Sequence, residues 1–442
     1  MGNQPALTSH ERAAAALRDQ FAALPPGAPV RLAKTTSNLF RFREPATRTL
    51  DVSAFSGVLS VDAEARTAEV GGMTTYEQLV DATLPYGLMP MVVPQLKTIT
   101  LGGAVAGLGI ESTSFRNGLP HESVLEMEIL TGDGRIVHTK RGEELYRGFP
   151  NSYGTLGYAL LLKIELEPVK PFVELRHVKF DDPMVIADHT DVDFLDGTVF
   201  GPGDQYLTLG RFVDKTPYRP SDYTGTEIFY KSIPDRETDY LTIRDYIWRW
   251  DTDWFWCSRA FGAQIPAVRR LWPKRYLRSD VYRKIVAWDR RYQLSARIGR
   301  LRGAAPREPV IQDVEIPLAR LAEFLEFFHR DIGITPVWLC PVKLRDKETW
   351  PLYPMDPDTL YVNVGFWATV AMKPGDGPGH HNRLIEQVVT DLGGHKSLYS
   401  ESFYSREDFW RLYNGERYRA LKREFDPDGR LPDLYDKCVR GR

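Results

Sequence analysis

Apolar residues return every three or four positions in SHERAAAALRDQFAAL, Ser9 to Leu24. This spacing predicts an amphipathic docking helix with Ser9 as its N-cap, stopped by Pro25, Pro26 and Gly27. From Val30 to Pro168 the dominant period shortens to two. AEVGG, VLEMEILT, RIVHT and GYALLLKIELEP read as strands, VLEMEILT and RIVHT being joined by a Gly132-Asp133-Gly134 turn. A helix-period run, TYEQLVDATLPYG, interrupts them. Pro168 and Pro171 mark a change of character, after which FVELRHVKF opens a second block. Long polar loops are expected next. PVIQDVEIPL, PVWLCPVKL and LYVNVGFWATV then predict strands, LARLAEFLEFFHRDIG and the run from Arg383 to Leu392 predict helices, and the tail is mainly helical. The fold class is α+β, with neither internal repeat nor low-complexity tract.

One stretch breaks both periods. ITLGGAVAGLGIESTSFRNGLP, Ile99 to Pro120, interleaves Gly102, Gly103, Gly107, Gly109 and Gly118 with hydroxyl and amide side chains, and predicts a long loop or short helix between strands. Glycine lets a backbone approach a ligand closely, while Ser, Thr and Asn supply short hydrogen bonds. A Walker phosphate loop is excluded because GxxxxGK[ST] is absent, and a Rossmann fingerprint fails for want of its third glycine and its buried leading strand. Two further polar turns, KTTSNLF (Lys34 to Phe40) and NSYGTLG (Asn151 to Gly157), raise the prospect of three bends gripping one extended diphosphate-containing molecule through backbone N–H groups. FAD is such a molecule. Glycines that merely pack closely are the alternative.

Bulk properties narrow the class. At 442 residues two domains are expected, and a formal charge of −2 says nothing about partners. Cys257, Cys340 and Cys438 are too scattered for a disulfide framework or a CxxC metal or redox site, which fits a reducing cytosol. Neither a signal peptide nor a membrane span is read from the sequence, and Ala6 stands where a myristoylation pattern wants Ser or Thr.

The order of these motifs carries a resemblance. An early Ser/Asn turn, VVPQLKTITLGGAVAGLGIES with RNGLPHESVLEMEILTGDGRIV, and then YGTLGYALLLKIEL together resemble the FAD domain of the vanillyl-alcohol-oxidase and p-cresol-methylhydroxylase superfamily. Within it the chain is similar to the Δ24-sterol reductase (24-dehydrocholesterol reductase, diminuto) group and its bacterial methylene-fatty-acyl reductase relatives. The likeness continues through VIQDVEIPL, PVWLCP and LYSESFYSREDFWRLYNGERYRALKREFDPDGRLPDLYDK, so it covers most of the chain from about Lys34.

The resemblance implies a two-subdomain FAD-binding domain plus an α+β substrate or cap domain. The implied boundaries are an N-terminal helix at 1–28, the FAD domain at 29–168, the cap at 169–395 with a basic Trp-rich segment at 244–302, and a C-terminal segment at 396–442 that returns to the flavin face. Carried over residue by residue, it implies flavin contacts from Thr36, Ser37, Asn38, Gln95, Thr98, Gly102, Gly103, Gly107, Gly109 and Glu111. It adds Ser112, Ser114, Asn117, Gly118, Val124, Gly154, Thr155, Gly157 and Ile164. Residues 11 to 120 hold neither His nor Cys, so noncovalent FAD is expected, with His121 the nearest exception.

The implied activity is reduction of an unactivated C=C bond in a lipid, with FAD reduced by NADPH. Protonation of the alkene to a tertiary cation, followed by hydride addition, needs an acid, exclusion of water and aromatic faces for the transient charge. Glu401 and Tyr404 of LYSESFY lead as acid or relay, with Glu111 third; a solvated Glu401 and a core Tyr404 are the competing reading. The Arg- and Ala-rich, Lys-poor composition suggests a high-GC bacterial source, where a sterol pathway would be unusual; with the resemblance to bacterial relatives it implies a methylene-branched fatty acyl chain on a phospholipid (10-methylene to 10-methyl) before a Δ24 sterol side chain. Oxidation of an alcohol or sugar, or noncatalytic flavin or lipid binding, are the other classes.

Arg244 to Arg302 carries fifteen Lys/Arg against five Asp/Glu, interleaved with Trp and Tyr. Contact with a membrane surface and a cap whose tryptophans pack inside are both open readings, whereas nucleic acid is not expected. The expected location is cytoplasmic, with peripheral attachment to the inner face of the cell membrane as the companion of the first reading. A partner methyltransferase is a further candidate. His380-His381 is read as a solvent loop, and no metal is assigned.

Overall fold

The computed structural model describes residues 4–34, 40, 49–292, 297 and 305–441; the side chains of residues 4–8, 261 and 290 lie outside that description. Two antiparallel sheets organise the chain. The first holds β1 (Val58–Asp62), β2 (Thr67–Gly71), β3 (Leu88–Pro90), β4 (Val124–Leu130), β5 (Ile136–Lys140) and β6 (Tyr158–Pro168). Its order is β1-β2-β6-β4-β5, with β3 on β6. The long β6 is central because YALLLKIEL is apolar enough to be covered on both faces.

The second sheet runs β10-β7-β9-β8-β12-β13-β11-β14. It comprises β7 (Phe172–Lys179), β8 (Phe194–Gly201), β9 (Asp204–Val213), β10 (Thr238–Thr242), β11 (Arg307–Pro317), β12 (Val337–Val342), β13 (Tyr361–Ala371) and β14 (His395–Lys396). The β8–β9 hairpin corrects the expectation of polar loops after β7. Its strands FLDGTVFG and DQYLTLGRFV contain buried Asp196, Thr198, Gln205 and Thr208, so a two-residue apolar period is masked by polar side chains turned inside, of which Asp196, Gln205 and Thr208 find hydrogen-bond partners.

Three helices belong to the first sheet. Helix α1 spans Gln4–Ala22, five residues ahead of the predicted cap, and places Ser9 within the helix. Leu17 and Phe21 pack with Leu50, Phe55, Leu130 and Leu160, and His10 bonds Glu128 at 2.7 Å. Helix α2, Tyr76–Thr83, starts on a reciprocal capping box between Thr75 and Gln78. Helix α3, Leu101–Ala106, is the ordered core of the glycine-rich stretch.

His380 and His381 open the helix His380–Asp391, which corrects the solvent-loop expectation. His381 is buried and its Nδ1 lies 2.9 Å from Glu308, whose carboxylate also accepts the His381 and Asn382 N–H groups. Among the described residues no group of His, Cys, Asp or Glu has the geometry of a metal site, and no helix is long and apolar enough to cross a membrane.

Gly118 shows how tightly the junction beside β4 is built. Its φ is +69°, and an added Cβ would fall 2.0 Å from the Glu122 carboxylate, which accepts the Leu119 N–H at 2.7 Å and the Arg345 N–H at 2.9 Å. Gly118→Ala meets both a left-handed backbone and a fixed carboxylate. It is expected to cost about 2 kcal/mol or more, read as a lower urea midpoint at unchanged slope; an unshifted midpoint would contradict this account.

Candidate functional site

The glycine-rich helix forms the floor of a cavity of about 550 Å³. Thr100 caps α3 by accepting the Gly103 N–H at 3.3 Å, while the Leu101 and Gly102 N–H groups donate to Thr74 and Gly72 carbonyls at 2.9 Å each. A Cβ on Gly102 would stand 2.7 Å from the Gly72 oxygen, so only glycine lets the helix sit on the end of β2. Gly103, by contrast, is exposed to the cavity. Opposite lies the Asn151–Gly157 turn, in which Asn151, Tyr153, Gly154 and Gly157 all have positive φ. Tyr153 donates its N–H to Ala106 O at 2.6 Å, which ties this bend to α3.

Of the residues proposed for flavin, Gln95, Thr98, Gly102, Gly103, Gly107, Gly109, Gly154 and Gly157 line this cavity together. Thr36, Ser37 and Asn38 lie outside the described residues, although their neighbours Lys34 and Phe40 line it. The others are used elsewhere. Val124 and Ile164 are core residues of β4 and β6, and Gly118 makes room for Glu122. Thr155 Oγ1 donates to Ser152 O at 2.7 Å, Asn117 Nδ2 to Met91 O at 2.7 Å, and Ser114 Oγ accepts the Glu111 N–H at 3.1 Å. Buried His121 packs edge-on to Trp350, and burial holds its imidazole neutral with a pKa of about 3; it does not line the cavity.

The far wall is aromatic. Trp254, Phe255, Trp338, Trp367 and Tyr399 face the glycine floor, and Asp313 of β11 stands among them. Trp254 and Phe255 are consecutive left-handed residues, φ 46° and 57°, a conformation costing bulky side chains about 1 kcal/mol or more each. The bend turns both rings into the wall, where Phe255 lies 4.3 Å from Trp367 centroid to centroid.

Asp313 is the one carboxylic acid among the described residues lining the cavity. Burial pushes its pKa up to about 6, against the pull of hydrogen bonds from Asn363, at 3.1 Å, and Tyr399. The Tyr399 hydroxyl in turn accepts Trp367 Nε1–H at 2.8 Å. The loop bearing Tyr399 is pinned on both sides: Ser397 N–H donates to Asp313 O at 3.1 Å, and Leu398 N–H to Tyr153 Oη at 3.0 Å.

That loop does return to the cavity, but through Tyr399 rather than Glu401 or Tyr404. Glu401 is exposed, and its carbonyl accepts from buried Lys396 at 2.7 Å. Tyr404 packs against Tyr413 with ring centroids 6.2 Å apart, away from the cavity lining. Leu398 and Tyr399 lie in a turn, and nothing in LYSESFY tells which side chain that turn presents to the cavity. Asp313 was missed because VIQDVEIP reads as an ordinary strand. Gln312 and Glu315 stand in the same run, so nothing local singles Asp313 out.

Glu111 sits one layer behind the wall. Ser112 Oγ–H donates to it at 2.5 Å and fully buried Arg249 approaches at 3.4 Å. Burial raises the Glu111 pKa to about 7, with Arg249 opposing. Arg249 also pairs with Asp196 at 2.8 Å, and Asp196 accepts Trp250 Nε1–H at 3.2 Å and Trp338 Nε1–H at 3.0 Å. This network orients Trp338, which does line the cavity.

Comparison with known proteins defines the class first. Residues 7–140 match the family model described as an FAD binding domain. This match, with the likeness to sterol reductases over most of the chain, agrees with an FAD-dependent oxidoreductase and with the resemblance to the vanillyl-alcohol-oxidase and p-cresol-methylhydroxylase superfamily. Its relatives include the Δ(24)-sterol reductase of Arabidopsis thaliana, 26% identical across 89% of this chain and 77% of the relative. The Homo sapiens Δ(24)-sterol reductase is 24% identical across 87% of this chain and 76% of its own length. Cytokinin dehydrogenase 1 of Arabidopsis thaliana is 28% identical over a shorter stretch, 36% of this chain and 29% of the relative.

The residues present fit FAD. Both amide atoms of Gln95, 3% exposed and on the cavity lining, lack a protein partner, and Gly103 faces the cavity without a side chain, where a Cβ would stand 2.8 Å from Thr100 Oγ1 and 3.2 Å from Lys34 Nζ. Gly103→Phe would place a ring in this space. We expect flavin absorbance per chain to fall about tenfold or more while far-ultraviolet circular dichroism is retained; full flavin content would refute this placement.

Proposed function

We propose that the chain reduces an isolated C=C bond in a long apolar lipid, with FAD as the hydride carrier and NAD(P)H as the electron source. The observation that carries this reading is Asp313: a single acid, held partly protonated near neutrality, within an aromatic wall facing the glycine floor. FAD, when bound and reduced, supplies a hydride. The protein's own groups supply the rest.

Asp313 holds the proton on its carboxyl and delivers it to one alkene carbon, and the neighbouring carbon then accepts the hydride. Tyr399 and Asn363 fix the carboxyl's position and stabilise the carboxylate left behind. Trp254, Phe255, Trp338 and Trp367 exclude water and present ring faces to the transient tertiary cation, an interaction worth roughly 2 kcal/mol when desolvated. A polar alcohol or sugar would find few partners on this wall.

A methylene-branched acyl chain and a Δ24 sterol side chain both give a tertiary cation on protonation, so one acid serves either. The methylene-branched chain is the preferred substrate. The names of the relatives support the sterol, whereas the composition of this chain supports the acyl lipid.

In an anaerobic experiment the NADPH-reduced protein is mixed with each lipid in turn. Flavin reoxidation with a product two mass units heavier is expected for at least one. Reoxidation no faster than in buffer would overturn the reading, and peroxide formed from an alcohol would select the oxidase instead. Asp313→Asn should keep its FAD and slow lipid-dependent reoxidation by about 100-fold or more. Because the protonated acid is the active form, the wild-type rate should fall as pH rises through about 6, and the variant should lose that dependence. An unchanged rate in the variant would remove Asp313 from the chemistry.

A further inference from the structure

The basic Trp-rich segment divides into an inner and an outer half. Trp248, Trp250, Trp254 and Trp256 are buried, as a cap core requires. Residues 265–292 behave differently. They hold six of the nine large apolar side chains exposed in the described structure: Ile265, Val268, Leu271, Tyr276, Trp288 and Tyr292. Leu271 is 84% exposed and Trp288 54%. Single exposed apolar residues are ordinary, but a cluster this concentrated marks an interaction surface.

Its charge is one-sided. Residues 265–292 contain nine Lys/Arg against two Asp/Glu. Arg269 is consumed internally by Asp253 at 2.7 Å, and Arg278 by Glu77 and Asp280. Arg270, Arg275, Lys284 and Arg291 remain on the exposed face. Within helix Ser279–Tyr292, Lys284, Trp288, Arg291 and Tyr292 recur on one side, while Tyr282, Ile285 and Val286 turn inward. Trp288 and Tyr292 are in contact with their rings tilted by 51°, 5.3 Å between centroids. Apolar tips ringed by cations match a lipid interface, where aromatic rings sit at headgroup depth and basic residues are drawn to an anionic surface.

The inward side of this helix meets the reaction cavity. Tyr282, Ile285 and Val286 pack with Leu277 against Trp254, together with Phe40 and Leu96, and these last three line the cavity. One layer of side chains therefore separates the exposed apolar patch from the wall opposite the glycine floor. We propose that the face formed by Pro266–Leu271, Lys274–Tyr276 and Ser279–Tyr292 docks on the anionic surface of a lipid bilayer, placing the cavity next to the membrane. A second copy of the chain would have to present anionic groups to this face, and nucleic acid would leave Leu271 and Ile265 in water.

The test is co-sedimentation of the FAD-loaded protein with vesicles, a measurement that needs no turnover and so stands or falls apart from the reductase reading. Vesicles of phosphatidylcholine with about 30% phosphatidylglycerol should pellet the protein, and pure phosphatidylcholine should pellet far less. Raising the salt to about 0.5 M should release most of it. Leu271→Glu and Trp288→Ala should each lower the bound fraction about tenfold. Arg275→Glu with Lys284→Glu should abolish the preference for anionic vesicles, and unchanged melting temperatures would show that the variants fold. Failure to bind either vesicle, or binding that these variants leave intact, overturns the proposal. So does a wild-type dimer that the same variants split, or salt-sensitive RNA binding in place of vesicle binding.

Discussion

A guanidinium with no access to solvent organises the centre of this molecule. Arg249 draws together Glu111, from the end of the glycine-rich stretch, and Asp196, from β8 of the second sheet. Removing one partner of such a buried group typically costs about 3–5 kcal/mol, because the charge left behind is neither solvated nor paired. The two sheets therefore have one relative placement that satisfies these charges. Asp196 converts that placement into the orientation of two indoles through their N–H groups. The aromatic wall inherits its geometry from an ionic contact that lies behind it.

The wall and the floor differ in how they are built, and this explains what the sequence revealed. The floor comes from two short segments whose glycines are each required locally, so Gly102, Gly103, Gly107, Gly109, Gly154 and Gly157 were legible with Gln95 and Thr98. The wall is assembled from residues far apart in the chain, among them Trp254, Asp313, Trp338 and Tyr399. No local period announces such a meeting. Asp313 looks like any acid on a strand until Tyr399 and Asn363 are brought beside it. Ser114 and Thr155 bond the backbone of their own bends and Asn117 the carbonyl of Met91, so these polar side chains are engaged within the protein and do not stand on the cavity lining.

Buried polar pairs recur wherever a loop must be held near the cavity. Lys396 and Glu386 lie 2.6 Å apart with almost no exposure, and Glu386 also accepts the Phe403 N–H at 3.0 Å. This pins the segment on either side of Tyr399. His381 with Glu308 anchors the start of the same helix that carries Glu386. A buried ion pair and a solvated one have the same composition, so nothing in the sequence marks these four residues as buried.

Trp254 is shared by two environments. One part of its surface belongs to the chamber where the proposed chemistry occurs, and the rest lies under Leu277 and Tyr282. The ring stacks on Phe40, 5.5 Å between centroids, and packs with Leu277 and Tyr282. A single indole thus acts as a party wall. The packing under Leu277 and Tyr282 is therefore one ring away from the chamber.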